Sequence, residues 1–340
     1  MVADWFEAYS WAMEINFWTS TEFVRGSYDE AKGVWNAVVR RGDGSERTLH
    51  PRHLVFANGL VGEAHIPELP GLKDFKGDAM HTTAFTNGAN WRGKKALVIG
   101  TGTSGHDVAQ DLHANGVDTT IVQRGATMVL SIDPSAKLTY GIYNGLPIED
   151  GDLLAATNTK PMVKKNLQTI TKRMLENDKK IIEGLIARGF KFTDGEDGAG
   201  HQWMVRTRYG GYYLDGGCSQ LIIDGEIGLL HYENIDRFVA NGALMKDGTV
   251  KQADLIVLAT GFVPQEMVVR KLLGDDIGGK VGPVWGFGPD GEMNNMWKRT
   301  PQRGLWFAGG GFNNCRQYSR YLAMQIKAIE EGMLGWRSEE

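Results

Sequence analysis

Apolar and polar positions change their period several times along the chain. Trp5, Ala8, Tyr9, Ala12 and Met13 share one face at helical spacing, and Asp4 and Glu7 stand at capping-box distance, which predicts an opening amphipathic helix. From Phe17 to about His50 apolar and polar residues alternate, broken at Gly26, Gly33 and Gly42-Asp43-Gly44, the pattern of a small antiparallel meander. A short apolar strand, HLVFANG, ends this part in glycine. Gly62 to Trp91 hold Pro67, Pro70, Gly71, Gly77 and Gly88 with little periodicity and read as a connection between two domains, with a boundary near Trp91. Lys94 to Arg124 then give a strand, a glycine turn, a helix and a second strand. Between about Met162 and Ala187, Leu167, Ile170, Met174, Ile181 and Leu185 recur near helical spacing among lysines of a solvated face, and Gly189 supplies a stop. Asn241-Gly242 and Asp247-Gly248 mark hairpin turns between short strands. ADLIVLATGF is a buried strand running into a turn, and GLWFAGGG precedes a last helix lined by Leu322, Ile326 and Ile329.

Length and charge narrow the function classes. The chain of 340 residues is long enough for two domains of the usual ~100–200 residues. A net charge of −4, with both signs interspersed, provides no field for nucleic acid or an anionic membrane, so the expected partner is a small molecule, with homo-oligomerisation left open. Cys218 and Cys315 form neither a disulfide framework nor a C-x-x-C pair, which suits a reducing cytoplasm. No signal peptide and no apolar run near the ~20 residues of a spanning helix is visible. His50 and His53 lack a third ligand at suggestive spacing, so no metal site is expected. Tyr28 and Lys32 have dehydrogenase-like Y-x-x-x-K spacing, but they precede the glycine turn and lie in strand territory, where chance explains them better.

Gly100-Thr101-Gly102-Thr103-Ser104-Gly105 is a G-x-G-x-x-G string placed directly after an apolar strand and directly before a helix. Gly100 permits the tight turn, Gly102 leaves room for a pyrophosphate, and Gly105 lets helix and strand pack closely. The pyrophosphate would meet free N–H groups at the positive end of the helix dipole. The second strand, TTIVQR, ends where NAD-specific proteins place an acidic residue for the ribose 2′-hydroxyl. Gln123 and Arg124 stand there instead. Arg124 can receive a 2′-phosphate, which predicts NADPH over NADH; the alternative is an ordinary surface residue at a strand end.

Three further segments resemble a known family. Phe75-Lys76-Gly77-Asp78-Ala79-Met80-His81-Thr82-Thr83-Ala84-Phe85 fits F-x-G-x-x-x-H-x-x-x-[Y/F], the fingerprint of flavin-containing monooxygenases, and Phe85 stands where the related Baeyer–Villiger enzymes have Trp. Leu258-Ala259-Thr260-Gly261-Phe262 resembles the family's L-A-T-G-[Y/F] turn back to the flavin domain, and HLVFANG with PELPG resembles its first crossing strand and Pro-rich link. The resemblance implies that NADPH reduces bound FAD and that a C4a-hydroperoxyflavin oxygenates a nucleophilic N or S centre, or a carbonyl, of a small molecule. It also implies cofactor contacts at Asn58, Gly59, Ala259, Thr260 and Gly261 and a place for His81 near the cofactors, either as a structural hydrogen bond or in catalysis. Gly309-Gly310-Gly311 either approach the flavin or form an ordinary loop. No residue is assigned as catalytic.

The family's first G-x-G-x-x-G, which binds the FAD pyrophosphate, is not found, and MVADWFEAYSW looks like an internal position of such proteins. The expectation is a fragment or a shortened relative that holds FAD weakly on its own. The expected fold is α/β: a Rossmann-like NADPH domain over 91–254, inserted into an incomplete flavin domain of the two-dinucleotide type built from 1–90 and 255–340. The alternative function is a catalytically inactive NADP(H)-binding fragment that has lost its FAD unit. A flavin disulfide reductase is disfavoured because no C-x-x-C carries the electrons.

Overall fold

The computed structural model describes residues 1–60 and 62–336. The chain forms two compact units, one from Met1–Gly59, Glu266–Gly282 and the stretch from Asn295 onward, the other from Leu60–Gln265 and Pro283–Asn294.

The first unit opens with the expected helix, α1 (Val2–Ala12), none of whose residues is buried. Next come β1 (Thr21–Asp29), β2 (Val34–Arg41) and β3 (Glu46–Leu49), paired antiparallel as the alternation predicts. Trp35, Ala37 and Val39 of β2 turn inward at every second position, the period of a strand with one buried face. β4 (Leu54–Phe56) ends at Asn58-Gly59.

The second unit runs through β5 (Asp78–His81), β6 (Lys95–Ile99), α2 (Thr103–Ala114), β7 (Asp118–Gln123) and β8 (Met128–Ser131). A helical stretch follows: α3 (Ile148–Ala156), α4 (Lys160–Asn177), α5 (Lys179–Ala187) and α6 (Gly200–Arg208). It closes with β9 (Tyr212–Asp215), α7 (Cys218–Asp224), β10 (Gly228–His231), β11 (Ile235–Val239), β12 (Gly242–Met245), β13 (Val250–Gln252) and β14 (Leu255–Leu258). A five-stranded sheet in the order β10, β7, β6, β14, β5 is parallel throughout. Its central strands are covered on both faces. Ala96, Val98, Leu255 and Val257 join Leu112 of α2 in one core, while Leu97, Ile99, Ile256 and Leu258 join Phe75 and Phe238 in another. KALVI and LIVL are therefore unbroken apolar runs rather than alternating ones.

Two expectations need correction. The segment before Trp91 is more than a connection: β5 is an edge strand of this sheet, so the units part at Gly59 and Gln265, whereas boundaries were expected near Trp91 and Asp254. The single helix read over Met162–Ala187 is two helices meeting at Asp178 (φ −98°, ψ 12°). The buried Asp178 carboxylate accepts the Ser131 backbone N–H at 2.9 Å, and this bond anchors the break.

The chain then completes the first unit with α8 (Gln265–Leu273), α9 (Asp275–Val281), β15 (Leu305–Phe307) and α10 (Phe312–Glu330). β15 lies parallel to β4, and Trp306 packs with Leu322 and Ile329 of α10. Trp306 donates its indole N–H to Nδ1 of His53 at 3.0 Å, leaving Nε2 to donate to Glu330 at 2.7 Å. Among the described residues no helix is long and apolar enough to cross a membrane. The α/β class, with a Rossmann-type sheet inserted in the sequence of a second unit, is as expected from the sequence.

Candidate functional site

The glycine string lies at the carboxyl end of β6, the end at which open parallel sheets bind ligands. Gly100 has φ +121°, and a Cβ there would lie 2.3 Å from the Ala259 carbonyl oxygen. A Cβ on Gly105 would lie 2.0 Å from the Gly100 carbonyl oxygen. These two glycines are required by the protein's own packing. Gly102 is different: it has φ −78°, and a Cβ would meet only the Tyr212 carbonyl oxygen, at 4.0 Å. The space over Gly102 is open, as a pyrophosphate lying against the backbone requires.

α2 begins at Gly102 with no side-chain cap and no acidic residue in its first turn, so the dipole's positive end is unopposed. The Gly105 and His106 N–H groups return to the Gly102 carbonyl, at 3.1 Å each. Thr103 Oγ1 donates to the Tyr212 carbonyl at 3.3 Å. The Thr101 hydroxyl is buried against Thr127 Oγ1 at 2.7 Å, so its side chain holds the turn to the next strand.

At the end of β7 the two candidates behave differently. Gln123 is fully buried, and its amide binds both backbone groups of Lys191: Nε2 donates to the carbonyl at 2.9 Å, and Oε1 accepts the N–H at 2.7 Å. Arg124 is exposed, and among the described residues no carboxylate pairs with it. Its guanidinium is available to an anion.

Three sequence segments meet at a cavity of about 270 Å³ lined by Thr82, Thr83, Phe85, Ser104, Asp107 and Phe262 among others. The first three come from the fingerprint, the next two from α2, and Phe262 from the turn after β14. His81 joins the segments. Its Nδ1 accepts the Thr83 N–H at 3.2 Å, which puts the proton on Nε2, and Nε2 donates to the Gly261 carbonyl at 3.0 Å. Burial lowers the His81 pKa, holding this neutral form. The Gly261 carbonyl also accepts the His65 N–H at 2.9 Å, and Thr260 Oγ1 donates to the His65 carbonyl at 2.6 Å. His81 thus makes structural hydrogen bonds that fix the turn carrying Ala259, Thr260 and Gly261. Asp107 was missed in the sequence although it stands one turn from Ser104 on the same face of α2; desolvation raises its carboxyl pKa. Thr82 and Thr83 stand at variable positions of the fingerprint, which carry no signal of their own.

Behind the glycine turn His106 is entirely buried, stacked on Tyr213 with ring centroids 3.9 Å apart, and Nδ1 lies 3.2 Å from the Gly102 carbonyl. Burial lowers its pKa to about 4, so the ring is neutral and donates from Nδ1. Among the described residues Nε2 has no partner. Cys218, in the same core, is pushed up to about 12 by burial and is no nucleophile.

Fold and site together define an α/β protein whose Rossmann-type parallel sheet carries a glycine turn at its carboxyl end. The flavin-binding monooxygenase-like family profile matches residues 2–267, and the chain belongs to that family. Indole-3-pyruvate monooxygenase YUCCA1 of Oryza sativa subsp. japonica is 35% identical over 140 residues, 41% of this chain and 34% of the relative. Probable indole-3-pyruvate monooxygenase YUCCA9 of Arabidopsis thaliana is 28% identical over 312 residues, 90% of this chain and 66% of the relative. The chain thus spans between about a third and two thirds of these relatives' lengths. Among solved structures, cyclohexanone monooxygenase bound to epsilon-caprolactone superposes with a TM-score of 0.62 at 17% identity, covering 97% of this chain and 72% of that one. A flavin-containing monooxygenase from Stenotrophomonas maltophilia gives 0.57 at 17% identity, covering 96% and 75%. At such identities the superpositions show the fold. Family membership does not favour the reading as an inactive nucleotide-binding remnant.

Proposed function

We propose that this chain is the NADPH-binding part of a flavin-dependent monooxygenase, with FAD and NADPH as cofactors and a small molecule as substrate. The observation that carries the reading is the open face of Gly102 at an uncapped helix start, together with the exposed Arg124 at the end of the adjacent strand β7, which among the described residues pairs with no carboxylate. Gly102 and the first turn of α2 would hold the pyrophosphate, and Arg124 would take the 2′-phosphate. Gly100, Thr101, Thr103, Ser104, Gly105 and Gln123 shape this cradle, with Thr101 and Gln123 acting through backbone and neighbouring strands rather than by side-chain contact. When bound, reduced FAD activates dioxygen for transfer of one oxygen atom to an N or S nucleophile or a carbonyl carbon. Toward the flavin, Asn58 and Gly59 at the end of β4, and Ala259, Thr260 and Gly261 after β14, are assigned as backbone contacts. Gly59 (φ +77°) and Gly261 (φ +84°) each have open space where a Cβ would stand. A cytoplasmic location fits two distant free cysteines.

Arg124→Ala tests the nucleotide assignment. NADPH affinity should fall about tenfold or more, the size of a lost charge-assisted contact, while NADH affinity stays unchanged. Equal losses for both nucleotides in a binding titration would sink it.

A further inference from the structure

The helical stretch of the second unit carries a larger cavity, about 710 Å³, within the range of small-molecule sites. One wall is the start of α4, with Lys160 and Lys164; another is Trp203 of α6; the third is the hairpin of Pro283–Asn294, which brings Trp285 and Phe287. The hairpin is fixed. Trp285 N donates to the Asn294 carbonyl at 3.0 Å, Asn294 N donates to the Gly286 carbonyl at 2.9 Å, and the Trp285 indole N–H donates to the Val205 carbonyl of α6 at 2.7 Å. Phe287 stacks on Trp203 with ring centroids 5.4 Å apart.

The two lysines differ in charge balance. Lys164 lies over Trp203 and is neutralised by Glu196 at 2.6 Å and Asp197 at 2.8 Å, while the Trp203 indole N–H donates to the same Glu196. Lys160 lies 5.1 Å from the Phe287 ring centroid, and among the described residues no carboxylate pairs with it. It stands at the start of an 18-residue helix with no side-chain cap and no acid in its first turn, so helix dipole and ammonium add. The one carboxylate in the lining, Glu196, is held by Lys164 and the Trp203 indole, which leaves Lys160 as the lining charge without a counter-ion among the described residues.

We propose that this cavity is a binding site for a planar aromatic monoanion, its ring against Phe287 and Trp285 and its carboxylate on Lys160. The inference goes beyond oxygen transfer and does not depend on it. The test is calorimetric titration of the full chain with 1-naphthoate and with uncharged 1-naphthalenemethanol. Naphthoate should saturate, and the alcohol should bind roughly tenfold more weakly or worse, because it lacks the charge-assisted contact. Lys160→Ala should weaken naphthoate by a similar factor without moving the thermal midpoint, Lys160→Arg should restore it, and saturating NADPH should leave it in place. Equal binding of acid and alcohol, an Ala variant that binds as the parent does, or displacement by NADPH would each overturn the assignment. Should Lys160→Ala lower the midpoint, the Lys160→Arg variant and the acid-against-alcohol comparison decide alone.

Discussion

Gly100, Gly102 and Gly105 share one motif and differ in what their missing side chains leave room for. A Cβ on Gly105 would press to 2.0 Å on a carbonyl oxygen of the chain itself. Gly105→Ala should therefore cost about 3 kcal/mol of stability, the upper range for overpacking, and lower the melting temperature whether or not nucleotide is present. Gly102→Val, whose Cβ comes no nearer to the protein than 4.0 Å from the Tyr212 carbonyl oxygen, should leave the melting temperature of the free protein nearly unchanged while abolishing the stabilisation that NADPH provides. A thermal scan of both variants with and without NADPH separates the two; a Gly102→Val protein still stabilised by NADPH would place the nucleotide elsewhere. The motif was legible from the sequence. The division of labour among its letters was not, since it depends on Ala259 and Tyr212, which are remote in sequence. The same holds for Gln123 and Arg124, adjacent letters of which one is spent on Lys191 and the other is exposed.

Among the elements, β6, α2 and β7 were legible because a buried parallel strand and an amphipathic helix each carry a distinct period. β5 was not: it has four residues, Asp-Ala-Met-His, at the sheet edge, with too little burial to leave a pattern. The break between α4 and α5 was hidden because helical spacing continues through Asp178, whose role depends on Ser131. Nor do residues as distant as Lys160 and Phe287 show any local sign that they line one cavity. The contact of α2 with β9 carries a pH signature through His106 and Tyr213. With a folded pKa near 4 against an ordinary 6.5, His106 takes up its proton more readily unfolded than folded. Its contribution is complete above pH 6.5 and is lost as pH falls toward 4, amounting to roughly 3 kcal/mol at about 1.36 kcal/mol per unit. Denaturant titrations of the parent and His106→Asn between pH 7 and 4.5 should show a shallower acid loss in the variant, and parallel profiles would assign the acid sensitivity to other groups.

For the whole molecule, the flavin is the decisive question. Among the described residues the Gly100–Gly105 turn is the one G-x-G-x-x-G set between a β-strand and an α-helix, and it lies in the second unit; the other match, Gly286–Gly291, sits in the hairpin of Pro283–Asn294, and at the start of α10 the Gly311 N–H is already taken by Asn314 Oδ1. FAD added to this chain alone should therefore be lost on desalting, leaving no protein-bound absorbance near 450 nm, while NADPH is still retained. A stoichiometric yellow protein whose colour bleaches anaerobically with NADPH would refute this and show that the chain holds both cofactors.

The pairing of β4 with β15 also orders events in time. His53 bonds Trp306 and Trp35 bonds Gly304 across 253 and 269 positions, so the first unit cannot close until Gly304 and Trp306 have left the ribosome. A loop that long is costly to close as free coil and cheaper once the residues between have condensed into a folded body. The five-stranded parallel sheet, complete in sequence at Leu258, is then the part that folds during synthesis, and the first unit is finished last.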